Sequence, residues 1–224
     1  MSQPLLSIDR YSTMVFDCDG VLLNSNEVKT QAFFQAALPY GEQAAQALAD
    51  YHVANGGVSR YKKFSYFLEH MVPAPLEDVT LDHLLARYAA CVQEGLLNCE
   101  VASGLHQLRE KTPGARWLIV SGGDQTELRS LFAKRQLASL FDGGIFGSPD
   151  TKDEILAREK SNGNIVSPAL FIGDSKYDHQ ASTAAGLDFI FLSGWSEVKE
   201  WEHWCHVNEI AFSSNVSSLG ERLK

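Results

Sequence analysis

"MVFDCDGVLLNSN" (Met14–Asn26) sets two carboxylates, Asp17 and Asp19, directly after an apolar run and directly before a glycine. Repulsion and desolvation both oppose such a pair if it is buried. Something must hold it: solvent, a cation, or a chemical task that needs one acid protonated. Working outward, "ARWLIVSGGD" (115–124) and "PALFIGDS" (168–175) repeat the pattern of an apolar run that stops at small or acidic residues, and "LDFIFLSG" (187–194) is a fourth apolar run. Each reads as a buried strand. Between them, "TELRSLFAKRQL" (126–137) and "KDEILAREK" (152–160) carry apolar residues at helical spacing. Strands alternating with helices predict an α/β fold with a Rossmann-like parallel sheet. In such a sheet, ligands sit beyond the carboxyl ends of the strands, where Asp17, Ser121 and Asp174 would converge.

Residues 27–98 differ. "VKTQAFFQAAL", "EQAAQALADYH", "SRYKKFSYFLEHM" and "LDHLLARYAACVQEGL" are helix-like stretches separated by Pro39-Tyr40-Gly41, Asn55-Gly56-Gly57 and Pro73-Ala74-Pro75. The pattern predicts an inserted all-helical domain at 24–98, within an α/β core made of 1–23 and 99–224.

The 224 residues suffice for that core and insert, and 45% hydrophobic with 21% charged residues is ordinary globular composition. A formal net charge of −9 without a lysine/arginine-rich run argues against nucleic acid as a partner. Cys18, Cys91, Cys99 and Cys205 have no CxxC spacing, and the expectation is a reducing, cytoplasmic setting without disulfide or zinc. No apolar run approaches the roughly 18 residues that span a bilayer, so no membrane partner is expected. A monomer or a weak dimer fits equally. Aromatics at helical spacing in the tail, Trp195, Trp201 and Trp204, read as core packing.

Asp17 as a carboxylate nucleophile would split a displacement into two steps, with Asp19 giving and then taking a proton. Asp19-Gly20 is equally a turn dipeptide. Ser121, followed by Gly122 and Gly123, offers a hydroxyl and unobstructed N–H groups to an oxyanion, or forms a plain turn. Asp174 at a strand end, with Asp178 one helical turn on, suits a hard divalent cation such as Mg2+; the helix dipole alone would also favour Asp178. Thr151 and Glu154 are spaced as a capping box, which puts Lys152 at a helix start against the dipole: a surface lysine, or one aimed at an anion.

Taken in order, "DCDGVLLNS", "VSGG", a lysine near a helix start and "GDSKYD", around a helical insert, resemble the haloacid dehalogenase superfamily, specifically phosphatases with a helical cap between the first two motifs. The resemblance spans essentially the whole chain. It implies that Asp17 forms an aspartyl-phosphate and that Asp19 is the general acid/base. Mg2+ would be held by Asp17, the Asp19 backbone carbonyl and Asp174, with Asp178 supporting. Ser121 and the Gly122 N–H would bind phosphoryl oxygens, and Lys152 would bridge phosphate and nucleophile. The acid at Asp19, which dehalogenating members lack, favours phosphoryl transfer. The implied substrate is a small phosphorylated metabolite, a sugar phosphate or a phosphoglycolate-like acid, with the cap closing to exclude water. "GGVSRYKKF" resembles the sugar-phosphate loop of β-phosphoglucomutases, which makes Arg60 a candidate substrate contact, but Lys29 stands where those mutases carry histidine. A phosphonatase would need a Schiff-base lysine, for which Lys29, Lys62 and Lys63 are the candidates. A non-catalytic, phosphometabolite-binding regulatory protein would lack a catalytic acid, and none is missing.

Overall fold

The computed structural model describes residues 8–72 and 79–221. Its centre is a six-stranded, wholly parallel sheet of order β3-β2-β1-β4-β5-β6. The strands are β1 (Thr13–Phe16), β2 (Arg116–Asp124), β3 (Gly144–Ser148), β4 (Ala169–Gly173), β5 (Asp188–Leu192) and β6 (Ala211–Ser213). The four apolar runs became β1, β2, β4 and β5. The sequence reading missed β3 and β6 for physical reasons. "GIFGS" carries two glycines in place of apolar residues, and "AFS" is a short edge strand.

Alternation along the central strands divides the core in two. Met14 and Phe16 join Trp117, Ile119, Leu170 and Ile172 on one face. Val15 joins Leu118, Val120 and Phe171 on the other. Helices α5 (Leu105–Lys111), α6 (Gln125–Lys134), α7 (Lys152–Ser161), α8 (Lys176–Ala184), α9 (Trp201–Val207) and α10 (Val216–Glu221) complete this part. Trp201 and Trp204 lie on α9 and pack against Phe191, as expected, whereas Trp195 lies in the loop ahead of α9 and packs against the main core.

Between β1 and β2 run α1 (Asn26–Ala37), α2 (Glu42–Ala54), α3 (Arg60–Tyr66) and α4 (Leu81–Asn98). They enclose an apolar cluster of their own around Phe33, Leu48, Phe64, Phe67 and Tyr88. Beyond α3 the helix widens into a π-type turn over Phe67–Met71, and the Pro73-Ala74-Pro75 break lies outside the described residues. The two connections to the sheet run side by side: Leu23 bridges Val101, the Asn24 N–H donates to the Glu100 carbonyl, and the Ala102 N–H to that of Leu22. Among the described residues, no helix is long and apolar enough to cross a membrane.

Candidate active site

The carboxyl ends of β1, β2 and β4 place Asp17, Ser121 to Asp124, and Asp174 at one edge of the sheet, facing the helical insert. Gly20 makes the turn after β1: its φ is +73°, and a Cβ there would collide with the Asp174 carboxylate. Helix α7 begins at Lys152, behind the expected Thr151–Glu154 capping box. The lysine is not a surface one. Its ammonium is fully buried, 2.9 Å from Asp17 Oδ1 and ion-paired to Asp178.

Asp17, Asp174 and Asp178 each place a carboxylate oxygen within 4.8 Å of the others, all buried. Burial pushes Asp17 up to about 7, with Asp178 and Asp19 adding and Lys152 opposing. Burial and the neighbouring Asp17 and Asp178 hold Asp174 well above the usual carboxylate range. Against its own burial, Lys152 is held charged by Asp17 and Asp178. Asp17 Oδ1 is buried without a hydrogen bond: Lys152 is close enough for ion pairing but is aimed at Asp178. Two crowded carboxylates with raised pKa values and an orphaned oxygen fit a hard divalent cation. The donors free for it are Asp17 and Asp174. Asp178, expected near the metal, already accepts from Lys152 and, through Oδ2, from the Ser175 N–H (3.1 Å) and hydroxyl (2.7 Å), closing the capping box of α8. That occupation leaves it a bracing role.

Asp17 and Asp19 both line the cavity but answer to different partners. Asp19 receives the Lys29 ammonium and the Ser25 hydroxyl (2.6 Å). Although burial works the other way, these two hold it below the usual carboxylate range. Its carboxylate lies outside the Asp17–Asp174–Asp178 cluster.

Ser121, expected on phosphoryl oxygens, is fully buried, and its Oγ accepts from the Gly123 N–H (3.0 Å). It shapes the loop. Gly122 lines the cavity, where a Cβ would collide with the carbonyl oxygen of Gly57 from the insert. The Asn55-Gly56-Gly57 break is therefore more than a helix separator: Gly57 also packs against Ser175 and near Lys152. Arg60, expected on substrate, forks onto Glu127 of α6 with two 2.7 Å bonds, and its Nε is buried without a partner. Tyr61 donates to Asp124 (2.8 Å), so α3 clasps the core at two points.

The sequence reading missed three further residues. Asn26 donates to Asp174 (3.1 Å) and to the Trp195 carbonyl (2.8 Å), Glu127 neutralises Arg60, and His52 lies beside Lys63. None carries a local pattern, because each meets its partner only through tertiary packing: Asn26 and Glu127 across the contact of insert on core, His52 across the contact of α2 with α3. Of the three Schiff-base candidates, Lys62 is exposed, Lys29 is held charged by Asp19 against its own burial, and Lys63 is the one whose burial lowers its pKa, to about 7.

The sequence profile of the haloacid dehalogenase-like hydrolases matches residues 11–186. No curated protein matches the chain. Among solved structures, a predicted phosphatase from Clostridium acetobutylicum superposes with a TM-score of 0.72 at 18% identity, covering 95% of this chain and 97% of its own. A protein provisionally named phosphoglycolate phosphatase from Lactobacillus plantarum gives 0.71 at 22% identity, over 95% of this chain and 99% of its own. CbbY from Rhodobacter sphaeroides, solved with xylulose-(1,5)bisphosphate, gives 0.71 at 17%, over 94% and 96%.

Proposed function

The chain belongs to the haloacid dehalogenase-like hydrolases, and from that premise we propose that it is a Mg2+-dependent phosphatase of a small phosphorylated metabolite, working through an aspartyl-phosphate. The observation that carries the reading is the buried Asp17: charged lysine on one side, two further carboxylates on the other, and one oxygen without a hydrogen bond. Asp17 and Asp174, with the Asp19 carbonyl, would hold the ion. When bound it neutralises charge on the phosphoryl oxygens and keeps Asp17 ionised.

Asp17 attacks phosphorus, and the bond to the leaving oxygen breaks as that oxygen takes a proton from Asp19. Asp19 then takes a proton from water, whose oxygen attacks the same phosphorus and releases Asp17 and inorganic phosphate. Lys29 keeps Asp19 in the carboxylate form that serves the second step. For the first step Asp19 must carry a proton, which requires its pairing with Lys29 to loosen. Lys152 balances the charge on Asp17 and the transferred group, and the N–H of Gly122, which lines the cavity, would donate to the phosphoryl oxygens. The helical insert acts as a cap that keeps bulk water out, touching the core at Gly57 and through the Arg60–Glu127 and Tyr61–Asp124 bonds of α3.

The test is release of inorganic phosphate from a panel of small phosphomonoesters, with and without Mg2+, beside Asp17→Asn. Metal-dependent release lost in the variant is the expected result. Isomerisation of a hexose 1-phosphate without release would replace it with a phosphomutase, and binding without turnover with a regulatory protein.

A further inference from the structure

Among the described residues, the buried basic side chains are Arg60, Lys63 and Lys152. Arg60 is matched by Glu127, and Lys152 by Asp17 and Asp178. Lys63 has no carboxylate within ion-pair distance. Its Nζ lies 2.7 Å from His52 Nδ1 and 3.4 Å from the His52 carbonyl, over the ring of Phe33 at 5.5 Å. It lines the same cavity as Asp17 and Asp174, whose volume of about 870 Å3 far exceeds a phosphoryl group. The position is fixed, because Ser59 caps α3 and Phe64 beside it is fully buried.

The groups facing Lys63 are His52 from α2, Lys29 from α1, Asp19 from the loop after β1, Glu197 from the loop after β5, and Lys152 from α7. Burial, then Lys29, lowers its pKa to about 7, while Asp19 and Glu197 act against them. Burial, with Lys63 and Lys29, holds the His52 imidazole neutral. No carboxylate comes within ion-pair distance of the ammonium, and its desolvation is costly without an anion in contact.

We propose that Lys63 is the counter-charge for a second anionic group of the substrate, a carboxylate or phosphate on the same small molecule as the transferred phosphoryl group. The inference rests on the phosphatase reading and narrows it to doubly anionic substrates. Asp17, Asp174 and Lys152 take the phosphoryl end, and Lys63, on the insert, takes the other. Arg60 cannot do so while Glu127 holds both its terminal nitrogens. A distal anion would also draw a proton onto Lys63, since an opposite charge in contact favours the charged amine.

The test is calorimetric binding, in Mg2+, of three phosphonates that cannot be hydrolysed: propylphosphonate, phosphonopropionate and propane bisphosphonate. Wild type is expected to bind at least one of the doubly anionic probes about tenfold or more tightly than propylphosphonate, as a charge-assisted bond implies. The tighter of the two identifies the distal anion as carboxylate or phosphate. Lys63→Met should keep the propylphosphonate affinity and lose the preference, and Lys63→Arg should retain part of it. If the variants do not fold, wild type alone decides: at about pH 8, a doubly anionic probe should take up more of a proton than propylphosphonate. Equal affinities, equal proton uptake, or a preference unchanged in Lys63→Met would overturn the inference and leave the phosphatase intact. Failure of all three probes to bind would overturn both. Borohydride trapping of a phosphonoaldehyde on Lys63 would overturn the inference as well, by showing a nucleophile in place of a counter-charge.

Discussion

Replacing Lys152 by Met keeps the length of the side chain and removes its charge from a site with no access to water. Asp17 and Asp178 lose their shared cation at once, and Asp174 stands within 4.8 Å of both. Removing one partner of a buried ion pair costs about 3–5 kcal/mol, because the other charge is left uncompensated. For a chain of this size each kcal/mol moves the midpoint by about 2–4 °C, so the expected fall is about 6–20 °C. The assay is thermal melting in chelator, so that no divalent ion substitutes for the lysine. The sign with pH follows. Asp17, already raised to about 7 by burial, rises further once Lys152 no longer opposes it, so the loss is full above that value and is relieved as pH falls through it. The gap between variant and wild type should therefore be wider at about pH 8 than at about pH 5.5. Lys152→Met/Asp178→Asn removes one of the two stranded charges and should recover part of the midpoint, but not the phosphate release, which falls by about a hundredfold or more in both. A midpoint within about 2 °C of wild type in chelator, or a near-normal rate, would refute the reasoning.

Asp174→Ala should raise the Mg2+ concentration for half-maximal phosphate release about tenfold or more, measured by metal titration; an unchanged midpoint would put the ion elsewhere. Glu127→Ala breaks both bonds that tie Arg60 to the core, and small-angle scattering should show a more extended particle, whereas an unchanged profile would mean that the Gly57 contact suffices. Lys63 lies at about 7 in the folded chain against an ordinary 10.5. Its desolvation penalty is complete below about pH 7 and is relieved between there and about 10.5, where the unfolded chain still holds the proton, so wild-type stability should rise with pH across that window. Denaturant titrations of Lys63→Met should lack that rise and show a more stable protein at about pH 6; a parallel pH profile would contradict the assignment.

The parts of the site that were legible in the sequence are those whose physics is local. An apolar run ending in Asp17 or Asp174 marks a buried strand with a charge at its exit, and a lysine set against a helix dipole at position 152 is an anomaly visible in one turn. What was not legible depends on contact across the chain. β3 gave no apolar run because Gly147 must pass close to the Gly123 carbonyl, where a Cβ would collide. Asp178 looked like a ligand by spacing, yet the same spacing closes a capping box, and only the position of Lys152 shows where its remaining oxygen goes. Arg60 looked free because Glu127 lies in another element, placed by the docking of α3 on α6.

Charge placement explains how a protein with a formal net charge of −9 can hold an anion. Among the described residues, each buried lysine or arginine belongs to this site: Lys152 beneath Asp17, Arg60 on the clasp, Lys63 on the insert. Burying a charge is expensive, and basic side chains go to the surface unless something holds them inside. Each of the three lies against an aromatic ring, Lys63 over Phe33, Arg60 over Tyr88 and Lys152 over Phe171, and none is matched by its ring neighbour alone. The same argument ranks them. Arg60 and Lys152 are matched by acids of the core, so their burial is explained by the fold itself. Lys63 is not, and an unmatched buried cation facing a cavity implies an anion that arrives from outside.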